Sequence, residues 1–308
     1  MQPLTMRFHS RMDLQTTIDS YLAGDPKIPD DIVFRASQMF NSKLGKFNFR
    51  RKGGAKLPSM SQVGKPFCQL HAEKLGWPKA PESNSFRIKM LYGDMTEVIA
   101  VAILLAAGVE IVDLNKRVGY KTPDGDYING ELDLVIRDGN GFSLWDIKSA
   151  SRFAFEKKFA SYEALKENDD FGYCSQLFGY TKAEREETPE IKAGGWIAIN
   201  KETGDMKVVQ ADPDDEESYT NKIEDTITRY KEANEDNFVR GFTDEEEFFY
   251  RKPTGNRKLK MTCSYCSFRY TCWPDLKYER NPKSKSANAY HHYTCLLYTS
   301  PSPRDRQK

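Results

Sequence analysis

Apolar residues recur at helical spacing twice near the start of the chain, over Met12–Leu22 and Asp31–Leu44. Asp30 and Asp31 supply carboxylates suited to a helix start. From Lys43 to Lys65 the pattern lapses into seven Lys/Arg (Lys43, Lys46, Arg50, Arg51, Lys52, Lys56, Lys65) with no acid and Gly53-Gly54 at the middle, which predicts a basic loop. A long helix is expected from Ser85 to Ala107, ended by Gly108. The period then drops to two. Tyr127–Ile136 and Phe142–Lys148 alternate as strands around Asp138-Gly139-Asn140-Gly141, a hairpin turn signal. Helices are expected over Phe155–Lys166 and Phe171–Arg185, and strands over Gly195–Ile199 and Met206–Gln210. An acidic stretch from Asp212 opens a further helix to Phe238, and a basic, cysteine-bearing segment runs from Arg251 to Trp273. Beyond Pro282 the pattern is lost, and the ending CLLYTSPSPRDRQK reads more like translated cloning sequence than protein.

Composition narrows the class. The 308 residues carry 46 Lys+Arg against 45 Asp+Glu, a formal charge of +1, which excludes a protein that holds nucleic acid by bulk charge alone. A hydrophobic content of 39% with 12% aromatics can fill a core. The N-terminus lacks the apolar stretch of a secretory signal, and the longest apolar run, Val98–Val109, is too short to span a bilayer. The expectation is a cytoplasmic protein without a membrane partner, in which the six cysteines are metal ligands or plain thiols rather than disulfides.

The hairpin places chemistry. If Arg137 pairs with Phe142, then Leu134 faces Trp145, Asp133 faces Asp146 and Glu131 faces Lys148. One face carries Leu132, Leu134, Ile136, Trp145 and Ile147, and the other Glu131, Asp133, Asp146 and Lys148. Opposed side chains have Cβ atoms roughly 4.5–5.5 Å apart, so the two aspartates repel. Mg²⁺ or Mn²⁺ removes that conflict, because hard cations take carboxylate oxygens. A metal ion, two acids and a lysine suit phosphodiester hydrolysis, which needs an activated water and neutralised charge at phosphorus. The same residues also describe a half-exposed hairpin with a polar face and a Glu131–Lys148 ion pair.

Gly130-Glu131-Leu132-Asp133 followed by Asp146-Ile147-Lys148 resembles the active-site core of the PD-(D/E)XK nucleases, with the less usual aspartate third and no proline before Asp133. Gly93-Asp94-Met95-Thr96-Glu97 resembles the first motif of the RecB-type branch, and Gln176-Leu177-Phe178-Gly179-Tyr180 its Gln-xxx-Tyr motif. The resemblance covers about Ser59 to Trp273. It implies an α/β, restriction-endonuclease-like core, a central mixed sheet flanked by helices. It further implies that Asp133, Asp146, Glu97 and the Ile147 backbone carbonyl hold the Mg²⁺ or Mn²⁺, that Lys148 positions the attacking water, and that Gln176 and Tyr180 brace the site.

Cys263, Cys266 and Cys272 form a C-x₂-C-x₅-C run that leaves a four-coordinate site one ligand short, and Cys68 is the candidate fourth. This layout resembles the iron–sulfur RecB-like nucleases: the CRISPR-associated Cas-four exonucleases, the AddB nuclease domain and phage relatives. The resemblance implies a structural 4Fe–4S cluster on these cysteines, with zinc as the alternative. His71 could substitute as a ligand but reads as a helix-surface residue, Cys174 as a helix thiol, and Cys295 with His291-His292 as parts of the tail.

The expected organisation is a helical N-terminal region with the basic loop and first cysteine (1–84), a nuclease core (85–211), a C-terminal helix and cysteine-cluster segment (212–281), and a disordered or artefactual tail (282–308). The expected activity is a metal-dependent DNA exonuclease in recombination, repair or phage DNA processing. A restriction-type or structure-specific endonuclease and a non-catalytic DNA-binding subunit are the rivals. DNA is the implied partner, with a helicase, integrase or recombinase as a further candidate. The Lys43–Lys65 loop and Arg251, Lys252, Arg257, Lys258 and Lys260 are candidates for phosphate contacts.

Overall fold

A computed structural model describes residues 13–47, 57–82, 84–281 and 290–297. The chain divides into two compact units, each discontinuous in sequence. The first takes residues 1–65 and 82–229, the second 66–81 and 230–308. This cuts across the four consecutive segments expected from sequence.

In the first unit, helices α1 (Leu14–Ala23), α2 (Asp30–Phe47) and α3 (Met60–Val63) precede a long α5 (Asn84–Ala106); α4 (Phe67–Lys74) belongs to the second unit. Strands β1 (Glu110–Lys121), β2 (Tyr127–Asp138) and β3 (Gly141–Ala150) follow, then helices α6 (Arg152–Lys157), α7 (Tyr162–Glu167) and α8 (Tyr173–Glu184). β4 (Lys192–Asn200) and β5 (Met206–Gln210) complete a sheet in the order β1-β2-β3-β4-β5, and α9 (Glu216–Glu232) comes after it. Only β3–β4 is parallel, so the sheet is mixed, as a restriction-endonuclease-like α/β core requires. The helix expected over Phe155–Lys166 is broken into α6 and α7. Phe159 leaves helical geometry, and the Ser161 side chain caps the second piece by accepting from Ala164 N–H.

Apolar side chains fill both faces of the sheet. Ala100, Val101 and Leu104 of α5 pack with Leu134, Ile136, Trp145, Ile147, Ile197 and Ile199 on one face. Leu177 and Phe178 of α8 pack with Val135, Leu144, Trp196 and Ala198 on the other. The β2–β3 register is the expected one, Leu134 opposite Trp145 and Arg137 opposite Phe142. Three details differ. Backbone pairing of β2 with β3 ends at Leu134/Trp145, so neither Asp133 and Asp146 nor Glu131 and Lys148 are register partners; Glu131 sits opposite Arg117 of β1. Leu132 joins the α8-side core rather than the face of Leu134. Between these two leucines β1 and β2 leave Asn115 and Asp133 unpaired, and Asn115 has a positive φ of 48°.

The second unit holds α4, a four-stranded antiparallel sheet of β6 (Glu245–Phe249), β7 (Lys252–Lys258), β8 (Lys277–Arg280) and β9 (Tyr290–Cys295) in the order β6-β7-β9-β8, and short helices α10 (Met261–Ser264) and α11 (Arg269–Cys272). Part of the segment expected as a tail is therefore an interior strand. Tyr293 of β9 is buried and donates from its hydroxyl to Glu247 at 2.7 Å. The buried Glu247 carboxylate also accepts from Asn256, Asn281 and Thr254, each at 2.8 Å. Tyr290-His291-His292-Tyr293-Thr294 is polar by composition but has the aromatic, β-branched character that strands accept. No helix among the described residues is long and apolar enough to cross a membrane.

Candidate active site

β2 and β3 bring Asp133, Asp146 and Lys148 together where their backbone pairing ends. Asp133 Oδ2 accepts the Ile147 N–H at 2.7 Å, so the carboxylate stands in for a strand partner. Asp146 is 1% exposed, and Lys148 Nζ approaches its Oδ2 at 2.6 Å. This is a charge contact rather than an aligned hydrogen bond, and Asp146 Oδ1 has no partner among the described residues. A buried carboxylate oxygen left in this way costs stability unless something else satisfies it.

The electrostatics follow from that crowding. Burial, then the neighbouring Asp146 charge, holds the Asp133 carboxyl well above the usual aspartate range; Glu97 adds to this, and Lys148 and the Ile147 N–H oppose it. Burial also raises Asp146, against the pull of Lys148. For Lys148 burial favours the neutral amine, but Asp146, Asp133 and then Tyr173 outweigh it and keep the ammonium. Lys148 Nζ lies 5.0 Å from the centre of the Tyr173 ring.

α5 supplies Glu97, but its carboxylate is already engaged. Lys43 Nζ stands 2.6 Å from both of its oxygens, and Asn115 Nδ2 donates to Oε1 at 2.6 Å. Lys43 is thus a buried residue of α2, not part of an exposed basic loop. Among the described residues no group of three or more His, Cys, Asp or Glu closes on a single ion, the three acids here included. Neither Lys43 nor Asn115 has a motif that marks it. The one signal is the place of Lys43 at the end of a predicted amphipathic helix; Asn115 lies in a stretch of mixed charged and apolar residues that predicts no element.

α8 brings Gln176 and Tyr180 against β2. Gln176 Nε2 donates to the Tyr180 hydroxyl at 3.4 Å, and burial pushes that phenol up to about 12. Gly130 makes room for the ring. A Cβ there would collide with Tyr180 Cε1 and stand 2.9 Å from its hydroxyl and 3.0 Å from Met60 Cβ. The Gly of the Gly-Glu-Leu-Asp run is therefore a packing requirement of the Gln-xxx-Tyr helix.

In the second unit, Cys68 of α4, Cys263 of α10, Cys266 from the turn after it and Cys272 of α11 all line one partly open cavity. All four are free thiols. Burial pushes Cys263 up to about 12, with Cys68, Cys266 and Cys272 adding to the rise. Backbone N–H groups point at two of the sulfurs: Phe268 donates to Cys266 Sγ at 3.4 Å, and the Gly241 amide lowers the Cys68 thiol against its burial. Arg240 stacks on Trp273, 3.9 Å from the ring centre, and donates to the Cys272 carbonyl at 2.6 Å. Gly241 and Arg240 carried no signal in the sequence.

His71 does not join this group. Its ring is buried between Phe67 and Phe238, and Nε2 meets the Asn234 carbonyl at 2.8 Å. Cys174 is buried in the first unit's core, and Cys295 is exposed on β9. Of the candidate phosphate contacts, Arg257 pairs with Asp244 at 2.6 Å and Lys258 with Glu245 at 3.3 Å. Arg50, Arg51, Lys52 and Lys56, and the side chain of Lys46, lie outside the described residues.

The PD-(D/E)XK nuclease superfamily matches residues 71–273, two thirds of the chain, a span within which Glu97, Asp133, Asp146, Lys148, Gln176 and Tyr180 fall. The chain belongs to that superfamily, and so to a class of nucleases. Comparison with curated proteins gives no match. Among solved structures, the one titled "Crystal structure of SSO0001" is similar at a TM-score of 0.40 and 16% identity, over 77% of this chain and 95% of that one.

Proposed function

We propose that the protein is a divalent-metal-dependent DNA exonuclease of the RecB-like branch, carrying a structural 4Fe–4S cluster and acting in recombination, repair or phage DNA processing. The observation that carries this is the buried Asp133–Asp146–Lys148 group, in which two carboxylates share one ammonium and one Asp146 oxygen is left unpartnered. Hard carboxylate oxygens fit Mg²⁺ or Mn²⁺, held by Asp133 and Asp146 with the Ile147 carbonyl, and with Glu97 completing or supporting the shell. Such an ion supplies charge neutralisation at phosphorus and an acidified water. Lys148 keeps its proton beside the acids and orients the attacking water. Gln176 and Tyr180 hold the helix that walls the site, and Arg251, Lys252 and Lys260 of the second unit are offered to DNA phosphates.

Four thiols lining one cavity suit a metal cluster held by cysteines, and zinc on the same four residues is the alternative. Amides directed at sulfur suit a cluster too, since such bonds help set the potential of Fe–S centres.

Anaerobically purified protein incubated with end-labelled DNA and Mn²⁺ tests the reading. Progressive loss from ends, abolished in Asp146→Ala and Lys148→Ala, is expected, with a brown preparation that bleaches as iron leaves. Full activity in both variants refutes the site, nicking of closed circles makes the enzyme an endonuclease, and a colourless zinc protein removes the cluster.

A further inference from the structure

Both carboxylate oxygens of Glu97 are engaged, in contrast to Asp146 Oδ1. Lys43 sits equally close to both of its oxygens, at 2.6 Å, and is 6% exposed, so the ammonium is held inside the protein rather than resting on it. Asn115 takes a further lone pair of Oε1, from a backbone conformation that costs an L-residue energy. Two elements far apart in sequence, α2 and β1, thus converge on one carboxylate supplied by α5. A surface pair would contribute little. An enclosed pair with a second donor holds its geometry, because separating it strands a buried charge.

Charge counting shows what the arrangement does. Glu97, Asp133 and Asp146 set three negative charges against the two positive charges of Lys43 and Lys148. One divalent cation turns the remaining single negative charge into a single positive one, which one phosphodiester neutralises. A second divalent cation would leave the site strongly positive. Without Lys43 the balance shifts by one, and the site then has both the charge and a carboxylate released from its ammonium, with Oε2 open to another ion.

We propose that Lys43 is a built-in cation that takes the place of a second metal ion, keeping Glu97 as an outer carboxylate, so that the site works with one divalent ion between Asp133 and Asp146. Lys43 is a positioning residue in this scheme, acting through Glu97 and not on the substrate. The inference rests on the nuclease reading above. It commits to a stoichiometry, and to a role for a residue outside the superfamily motifs of this chain.

The test is Mn²⁺ binding to the full chain, followed by the EPR signal of free Mn²⁺ and by calorimetry, without DNA. The unaltered protein should bind one Mn²⁺ at this site, and Asp146→Ala should lose it; failure of that pair of results sinks the nuclease reading itself. Lys43→Met should gain a second Mn²⁺ or bind the first about tenfold more tightly, since a nearby positive charge has gone. Lys43→Arg should restore single-ion binding. The double variant Lys43→Met/Glu97→Gln, which replaces the pair by neutral groups of similar shape, should keep one Mn²⁺ with affinity within about threefold of the unaltered protein, and covers the case in which Lys43→Met fails to fold. Two ions bound by the unaltered protein, an unchanged Lys43→Met, or about a hundredfold loss of affinity in the double variant each overturn the proposal, the last by making Glu97 a direct ligand.

Discussion

Asp133→Asn should stabilise the metal-free protein while destroying its activity. Asp133 and Asp146 share the single ammonium of Lys148, and Glu97 is balanced separately by Lys43, so one buried negative charge lacks compensation. An asparagine at 133 removes that charge and still offers an oxygen to the Ile147 N–H that Asp133 now accepts. The gain is that of relieving one unsatisfied buried polar group, about 1–3 kcal/mol. For a unit of this size each kcal/mol moves the melting temperature by roughly 2–4 °C. The pH dependence carries a sign. Folding raises the Asp133 pKa above the ordinary aspartate value of 3.8, so the folded chain keeps a proton that the unfolded chain has released. Stability therefore falls as pH rises from that value through the raised one. Thermal unfolding in EDTA at pH 8 should show the variant melting higher than the unaltered protein, with the gap narrowing towards pH 5. Added Mn²⁺ should raise the melting point of the unaltered protein more than that of the variant, because only a bound ligand shifts the equilibrium. A variant less stable in EDTA at pH 8, or a gap independent of pH, would refute the account of an uncompensated acid pair.

Other expectations can be checked alongside it. Gly130→Ala forces Tyr180 and Met60 apart and should cost about 1–3 kcal/mol in urea melts, with a fall in kcat where Tyr180 is displaced. Glu247→Ala strands the donors of Asn256, Asn281, Thr254 and Tyr293 and should cost about 3 kcal/mol or more, read as loss of the second unit's cooperative unfolding. Burial raises the Glu247 carboxyl, but hydrogen bonds from Asn256, Tyr293 and Thr254 bring it below the usual glutamate value. Its contribution should therefore be present at neutral pH and lost on acidification below about pH 4. In metal-free protein at pH 7.5, iodoacetamide should label exposed Cys295 well before Cys263, whose burial disfavours the thiolate; mass spectrometry of timed digests decides it.

Much of the first unit was legible because its signals are local. The Asp138–Gly141 turn set the register of β2 and β3, and the long apolar run of α5 needed only a helical period. β1 escaped notice because Glu110–Lys121 mixes charged with apolar residues along a strand that is half-buried for most of its length. The pair of Lys43 with Glu97 could not be read at all, since it depends on α2 meeting α5, a fact of tertiary packing. Charge alone made Lys43 look like the start of a basic loop. The second sheet was missed for a related reason: its core is polar, built around Glu247, and hydrophobic periodicity does not see a hydrogen-bonded core.

The second unit takes its first piece, with Cys68, from residues 66–81 and the rest from beyond residue 229. A ribosome therefore finishes nearly all of the nuclease core before the other three cysteines exist. During that interval Cys68 waits as a lone thiol, and only release of the last strands lets the unit close around its four sulfurs. Iron delivery, if these sulfurs hold a cluster, is then a late step in the life of the chain, and truncation between residue 229 and Cys263 should leave Cys68 without its partners.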